Sequence, residues 1–503
     1  ESRVNTVVIN NIFTPNYNLA VDAVQVTPGN VGASGLAIGS VACRSTLTDP
    51  ANGCQPLDLF GVGVASPAAI AYINGLARAG RDYQLAVLNQ DVASLAVQGM
   101  LPWSLGAGQV SVAFGGEYRK EGGRVTVDPL ASAKLFSVGN FSGFSGQYNV
   151  EEGFLEIEAP LLKDSFVQSL EFNTAGRLTS YSTSGLVETW KLGFTSQITD
   201  DIRARTTWSF DIRAPDLQEL FSGGFSVLGA YTDPRTGANV QTFTQTSGNR
   251  NLKPEESTTF SGGIVLTPHW LPGLSLSADW YSIHISKAIA TINASTVVAQ
   301  CAAGVQIYCA QLVFAGPGGA LSQINTIPIN ANRQTVSGLD FEGDYRTPFQ
   351  AGVIDLHWIA NYTDEQTQTA QGITVEYAGG IGADSPVRGV PQFKTILAAT
   401  YLEGPWQGTV QGRLIGAARL NTAWGPLNVD DNSIPSIAYL DLRAAFDWTR
   451  SIQLYAAIDN LFNTAPPVVA GSTNSLTPYD ASIRDDIYDA IGRQYRIGLR
   501  FQF

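Results

Sequence analysis

Two-residue alternation of apolar and polar side chains recurs from about residue 90 to the last residue, and it leaves few folds open. Successive side chains of a strand point to opposite faces, so such a run builds a ribbon that is greasy on one side and wet on the other. At the C-terminus Tyr495, Ile497, Leu499, Phe501 and Phe503 share one face, with Gln494, Arg496, Arg500 and Gln502 on the other. Val110, Val112, Phe114, Gly116 and Tyr118 alternate with Gln109, Ser111, Glu117 and Arg119, and Ile202, Ala204, Trp208, Phe210 and Ile212 with Arg203, Arg205, Ser209, Asp211 and Arg213. The same pattern sets Ile354, Leu356, Trp358, Ala360 and Tyr362 against Asp355, His357 and Asn361, and Leu440, Leu442, Phe446 and Trp448 against Asp441, Arg443 and Asp447. Although 44% of the 503 residues are hydrophobic and only 15% charged, no stretch approaches the roughly 18 uninterrupted apolar residues of a membrane helix. Helical membrane proteins are excluded. High aromatic content and unsegregated charge argue against disorder, and a net charge of −13 without a basic stripe argues against a nucleic-acid partner.

The connections between about fifteen such strands are unequal, where a soluble sandwich would space its turns every 8–12 residues or so. One set is short: Trp448–Ser451, Glu403–Trp406, Thr347–Gly352, Thr267–Leu274, Gln197–Ile202, Pro160–Phe166 and Leu101–Gly108. The alternate set is mostly long: Phe462–Ala490, Gly416–Pro435, Thr363–Val390, Ala288–Arg333, Arg213–Glu256 and Arg119–Gln147, with a short exception near Tyr181–Gly185. Tight turns on one rim and long loops on the other predict a transmembrane antiparallel β-barrel with periplasmic turns and extracellular loops. Trp103, Trp270, Phe349, Trp406 and Trp448 flank the short turns, where a belt of amphipathic rings suits the lipid headgroups. An odd strand number does not close a bacterial barrel. Val4 to Ile9 reads as the end of another strand, followed by a long segment to about Tyr83. A plugged barrel of about 22 strands would need more strands and a plug before Glu1. Residues 1–503 are therefore expected to be the C-terminal portion of such a barrel, or a plugless relative.

Cys43 with Cys54 and Cys301 with Cys309 form two local pairs, read as loop disulfides of an oxidising compartment, with unpaired thiols the alternative. His269, His284 and His357 are widely separated, and no Cys/His cluster has metal-site spacing, so neither a metal nor a cofactor is expected. Asp430-Asp431 reads as a solvated pair, and Gly316 to Gly319 lacks the Lys of a phosphate loop. No nucleophile with an oriented base is visible, so the chain is not expected to be an enzyme. Glu117, Arg119, Arg203, Arg205, Asp211 and Arg213 are expected to face the lumen, lining a ligand path or pairing across neighbouring strands. Phe221, Phe225, Tyr231, Tyr377 and Trp424, in long loops, are the candidates to stack on a sugar or an aromatic chelator.

An ordered set of segments then resembles the barrel of a TonB-dependent outer-membrane receptor. They are Cys54-Gln55-Pro56-Leu57-Asp58-Leu59-Phe60-Gly61, Ala113-Phe114-Gly115-Gly116-Glu117-Tyr118-Arg119-Lys120-Glu121 and Ile212-Arg213-Ala214-Pro215-Asp216-Leu217-Gln218-Glu219-Leu220-Phe221. Next come Gly248-Asn249-Arg250-Asn251-Leu252-Lys253-Pro254-Glu255-Glu256-Ser257, Val336-Ser337-Gly338-Leu339-Asp340-Phe341-Glu342-Gly343 and Ile458-Asp459-Asn460-Leu461-Phe462-Asn463. The resemblance implies a place in the outer membrane of a Gram-negative bacterium, among its lipid and lipopolysaccharide. It further implies uptake of a scarce nutrient, such as a ferric siderophore, cobalamin or an oligosaccharide, driven by a TonB–ExbB–ExbD complex acting on a plug. No plug and no TonB-contact segment is recognisable in the sequence. Phe503 resembles the aromatic end read by the barrel-assembly machinery, and is equally the end of an amphipathic closing strand. The rival readings are a passive porin-like or adhesin-type barrel and a secreted all-β carbohydrate enzyme.

Overall fold

The structure, a computed structural model, describes residues 1–138, 140–370, 373–382, 389–469 and 484–502. A seventeen-stranded sheet dominates it. Sixteen of the strands form the wall: Ser2–Val7, Tyr83–Ser104, Gln109–Val127, Phe144–Lys163, Ser169–Tyr181, Gly185–Gln197, Ile202–Arg213, Glu255–Leu266, Leu274–Thr291, Pro328–Phe349, Gly352–Ala370, Phe393–Glu403, Trp406–Ile415, Ile437–Thr449, Ile452–Asp459 and Gln494–Phe501. Each pairs antiparallel with the next in chain order. The seventeenth, Ile373–Glu376, folds back on the far end of Gly352–Ala370. Among the described residues no helix is long and apolar enough to cross a membrane.

Register converts the alternation into two faces. Phe114 stands opposite Leu155, and Trp208 opposite both Leu192 and Phe260, so apolar residues meet apolar residues across the ladders. Phe114, Leu155, Leu178, Leu192, Trp208, Phe260, Ile264, Trp280, Leu397 and Val410 are all exposed, an apolar surface far larger than a soluble monomer carries. In lipid every backbone donor and acceptor needs an internal partner, and ladders on both sides supply it to the strands from Gln109–Val127 to Ile452–Asp459. Trp103, Trp270, Phe349, Trp406 and Trp448 are likewise exposed at the short-turn rim, where a headgroup belt is expected. Phe503 lies outside the described residues.

The long connections differ from the sequence reading. Arg119–Gln147 reads as one loop, yet the strand continues to Val127 and the next begins at Phe144. Pro328–Phe349 has 22 residues, where about 9–11 cross a bilayer, so several strands project beyond it. The projecting ends lose alternation because both faces meet water or protein there, which is why Gly122-Gly123 and its neighbours read as loop.

The connections are also folded. Segments 128–143, 214–254 and 292–327 contribute to a five-stranded sheet in the order Leu312–Phe314, Leu321–Thr326, Asn239–Thr246, Phe225–Thr232, Asn140–Phe141. Its Asn239–Thr246 and Leu321–Thr326 strands pair in parallel. Residues 8–82 form a helical unit around Ala20, Cys43, Cys54, Ala69 and Ile73. Its Pro67–Arg78 helix starts where Ser66 caps the Ala69 N–H and Pro67 needs no donor. Ala69, Ile73 and Ala77, spaced four apart, form its buried stripe. Both disulfides form, Cys43–Cys54 within this unit and Cys301–Cys309 within segment 292–327.

Candidate functional site

Two of the family-like segments meet at the loop-side end of the wall. After Arg213 the chain turns at Pro215 into a short helix, Leu217–Phe221. Its start is doubly capped, since Asp216 Oδ1 accepts the Glu219 N–H at 2.8 Å and Glu219 Oε2 accepts the Asp216 N–H at 2.9 Å. Arg213 then forks between two carboxylates, Glu219 at 2.9 and 3.0 Å and Glu255 at 2.7 and 2.8 Å. Segments 212–221 and 248–257 are thereby tied together. Asn249 N–H also donates to the Glu219 carbonyl and Gly248 N–H to that of Ser222.

Packing holds this clasp more firmly than charge does. Leu217, Leu220 and Leu252 bury against Tyr148 and Val150 of the Phe144–Lys163 strand, worth about 1.5–3 kcal/mol per side chain. Half-exposed ion pairs contribute roughly 0–1 kcal/mol each, so the arginine fork mainly sets orientation. A Cβ on Gly146 would sit 2.2 Å from the Phe221 ring, so glycine there makes room for the clasp, whereas one on Gly123, its cross-strand neighbour, would crowd Leu88 at 3.0 Å and only touch a Leu217 methyl at 3.4 Å.

Below the clasp the polar face carries an open cleft of about 400 Å³, lined among others by Arg119, Glu152, Phe154, Arg177, Tyr181 and Asp211. Arg177 donates to Glu152 at 2.9 Å and lies 5.4 Å over the Phe154 ring. Arg119 donates to Glu117 at 3.3 Å and stands 3.1 Å from Glu121, which also accepts the Tyr148 hydroxyl. The Ser209 hydroxyl donates to Asp211, and Arg203 donates to Gln197. Arg205 forks onto Asp279 at 2.6 and 2.8 Å across an intervening strand. Gly263 permits that reach, since a Cβ there would lie 1.9 Å from Asp279. All six charged candidates thus occupy the polar face with wall or clasp partners, Glu117, Arg119, Arg205 and Arg213 in ion pairs and Arg203 and Asp211 hydrogen-bonded to the neutral Gln197 and Ser209.

The aromatic candidates do not converge. Phe221 packs in the clasp, with the Arg250 guanidinium 5.1 Å over its ring. Phe225 begins a cap strand and is exposed. Tyr231 packs against the core around Val297 and Ile324, and its hydroxyl accepts from Thr244. Tyr377 is buried, which pushes its phenol above the ordinary value, and Trp424 packs against a second loop core around Ile381 and Ile434. Asp431 accepts the backbone and hydroxyl of Ser433, which holds its carboxyl below the usual range and marks a turn. Sequence reasoning missed Leu217, Leu220, Gly123 and Gly146 as a unit. Their only signal was the glycine pair opposite a capped apolar helix, and the partners lie far apart in the chain.

The barrel model described as TonB dependent receptor-like, beta-barrel matches residues 47–461. No curated protein sequence matches the chain. Among solved structures, a variant of the ferric enterobactin receptor from Pseudomonas aeruginosa in complex with enterobactin is similar with a TM-score of 0.60 and 14% identity, over 84% of this chain and 55% of that one. The siderophore receptor from Acinetobacter baumannii has a TM-score of 0.54 at 13% identity over 84% and 55% of the two chains. A copper transporter has 0.51 at 14% over 84% and 58%. At such identities the likeness is one of fold, and the chain spans little more than half the length of these structures. The family match, the apolar outer face and the rim asymmetry agree: the chain belongs to the TonB-dependent receptor β-barrel family, whose members are outer-membrane proteins of Gram-negative bacteria.

Proposed function

We propose that the protein is a receptor that binds a scarce nutrient at its folded outer loops and takes it across the outer membrane, with energy from a TonB–ExbB–ExbD complex. The family match over residues 47–461 carries this reading, since that family consists of receptors and transporters and is not an enzyme class. The wall supports it: the apolar face suits lipid and lipopolysaccharide, and the polar face, with Arg119, Arg177 and Asp211 along its cleft, suits a water-filled lumen. Such a wall is inserted by the barrel-assembly machinery. The ligand is a small chelate or an oligosaccharide of the ferric-siderophore, cobalamin or glycan kind, and the similar structures named for siderophore and copper transport favour a metal chelate. The exposed Phe225 and the clasp around Phe221 frame the mouth through which it would pass.

Uptake by a strain lacking the gene, measured across ferric chelates, cobalamin and oligosaccharides, tests the proposal. Loss of one substrate class, restored by the intact gene, is the expected result. Unchanged uptake of all of them rejects it.

A further inference from the structure

One cluster on the polar face serves neither the clasp nor the cleft. Glu342 and Asp344 stand two residues apart in the Pro328–Phe349 strand and so share a face. The hairpin to Gly352–Ala370 sets His357 directly opposite Asp344. His357 Nδ1 lies 2.8 Å from Asp344 Oδ1, and one carboxylate oxygen from each acid together with a ring nitrogen fall within 4.8 Å of one another. Neighbouring carboxylates of this face show how a purely structural acid is satisfied here. Asp279 is forked by Arg205, Asp340 accepts from the Asn361 amide at 2.7 Å, and Asp355 stands 3.7 Å from Arg346. Asp344 has no arginine or lysine partner among the described residues. Its partner is an imidazole, and Glu342 completes the group.

We propose that Glu342, Asp344 and His357 bind a divalent transition-metal ion on the inner wall. Calcium and magnesium prefer all-oxygen shells, whereas imidazole nitrogen shifts preference toward zinc, nickel or copper. The neutral ring offers the Nδ1 lone pair with its proton on Nε2, and the metal takes the place of the present Asp344–His357 hydrogen bond. Two carboxylates offset the charge of the ion. Both strands are paired on either side, so the backbone positions that carry the ligands are fixed before the ion arrives and only side-chain ordering falls on binding. Three protein ligands leave coordination positions to water or to a ligand of the cargo, as in open rather than structural sites. The inference stands apart from the uptake proposal, since a bound ion is measured without transport.

Titration of the purified full-length protein in detergent with Cu²⁺, followed by electron paramagnetic resonance, tests it. One saturable equivalent, with hyperfine coupling from a single nitrogen and displacement by Zn²⁺ but not Ca²⁺, is expected. His357→Ala should abolish the nitrogen coupling and weaken binding by about tenfold or more. Glu342→Gln should weaken binding while the coupling stays, and His269→Ala, at a histidine paired with Asp201 instead, should change neither. Each variant is scored only if it keeps the unheated gel mobility of a folded barrel, with His357→Gln replacing His357→Ala should that one fail. No saturable equivalent, or a nitrogen signal that survives loss of His357, overturns the proposal.

Discussion

The wall and its caps are built from the same chain by opposite means. Among the largest fully buried side chains of the described residues, Phe136, Leu220, Leu252, Ile324, Ile381, Ile434, Val26 and Val297 all belong to the connections, and of the apolar ones there Val150 alone belongs to a wall strand. The caps are stabilised as small soluble domains are, by side-chain cores and disulfides. Among the described residues the wall strands bury only scattered apolar side chains, such as Val110, Ala360 and Tyr439, so backbone ladders and the surrounding lipid must do most of the holding. Stability in the caps is therefore sensitive to the volume of individual side chains, and in the wall to polarity.

The largest expected contrast comes from truncating one apolar residue in each region. Ile324→Ala, at a fully buried cap position, should cost about 4 kcal/mol of local stability, read as faster proteolysis or hydrogen exchange of segment 292–327. Leu192→Ala, on the exposed wall face, should cost less than about 1 kcal/mol because lipid fills the space. Leu192→Arg should cost about 2–4 kcal/mol at this mid-wall height. Equal effects of the two alanine variants would erase the distinction. Next in size is the Cys43–Cys54 bridge, which closes a loop across a separation of 11 residues. Replacing both cysteines by serine should loosen segment 8–82 by about 3 kcal/mol while the folded-barrel mobility stays unchanged. Lost mobility would show that wall and cap fold as one unit.

Legibility followed the same division. Alternation of Ile202 to Arg213 was readable because lipid and water select opposite residues at every step. The cap strands Phe225–Thr232 and Asn239–Thr246 carry no comparable signal, since their faces meet other loops whose partners lie up to 80 or so residues away. The motif around Arg213 was visible, but its role was not, for Glu255 lies 42 residues on. His357 looked isolated among three scattered histidines, and only the hairpin register brings Asp344 to it.

The smallest effect expected concerns how the caps are fastened. Buried Asn11 donates to Asp82 and to the Val138 carbonyl, joining segments 8–82 and 128–143. Burial raises the Asp82 carboxyl above its ordinary value, against the Asn11 hydrogen bond and with the Asp128 charge adding to the rise; its second oxygen has no partner. A raised value favours the neutral acid in the folded state. Its contribution is thus complete below the ordinary carboxylate range and disappears as pH rises through the raised one. Protease resistance of segment 8–82 should fall modestly across that window in the native protein, and Asp82→Asn should flatten the dependence. An unchanged profile in Asp82→Asn would assign the pH response to another group.

The parallel pairing of Asn239–Thr246 with Leu321–Thr326 has a consequence for how the outer surface can vary. Three connections share one sheet, so grafting any single one onto another barrel would strip neighbours of their hydrogen-bonding partners and leave bare edges. Antibodies or phages that recognise this surface would meet epitopes assembled from distant stretches of sequence. Escape from them would require coordinated replacement of the whole set rather than drift in one loop.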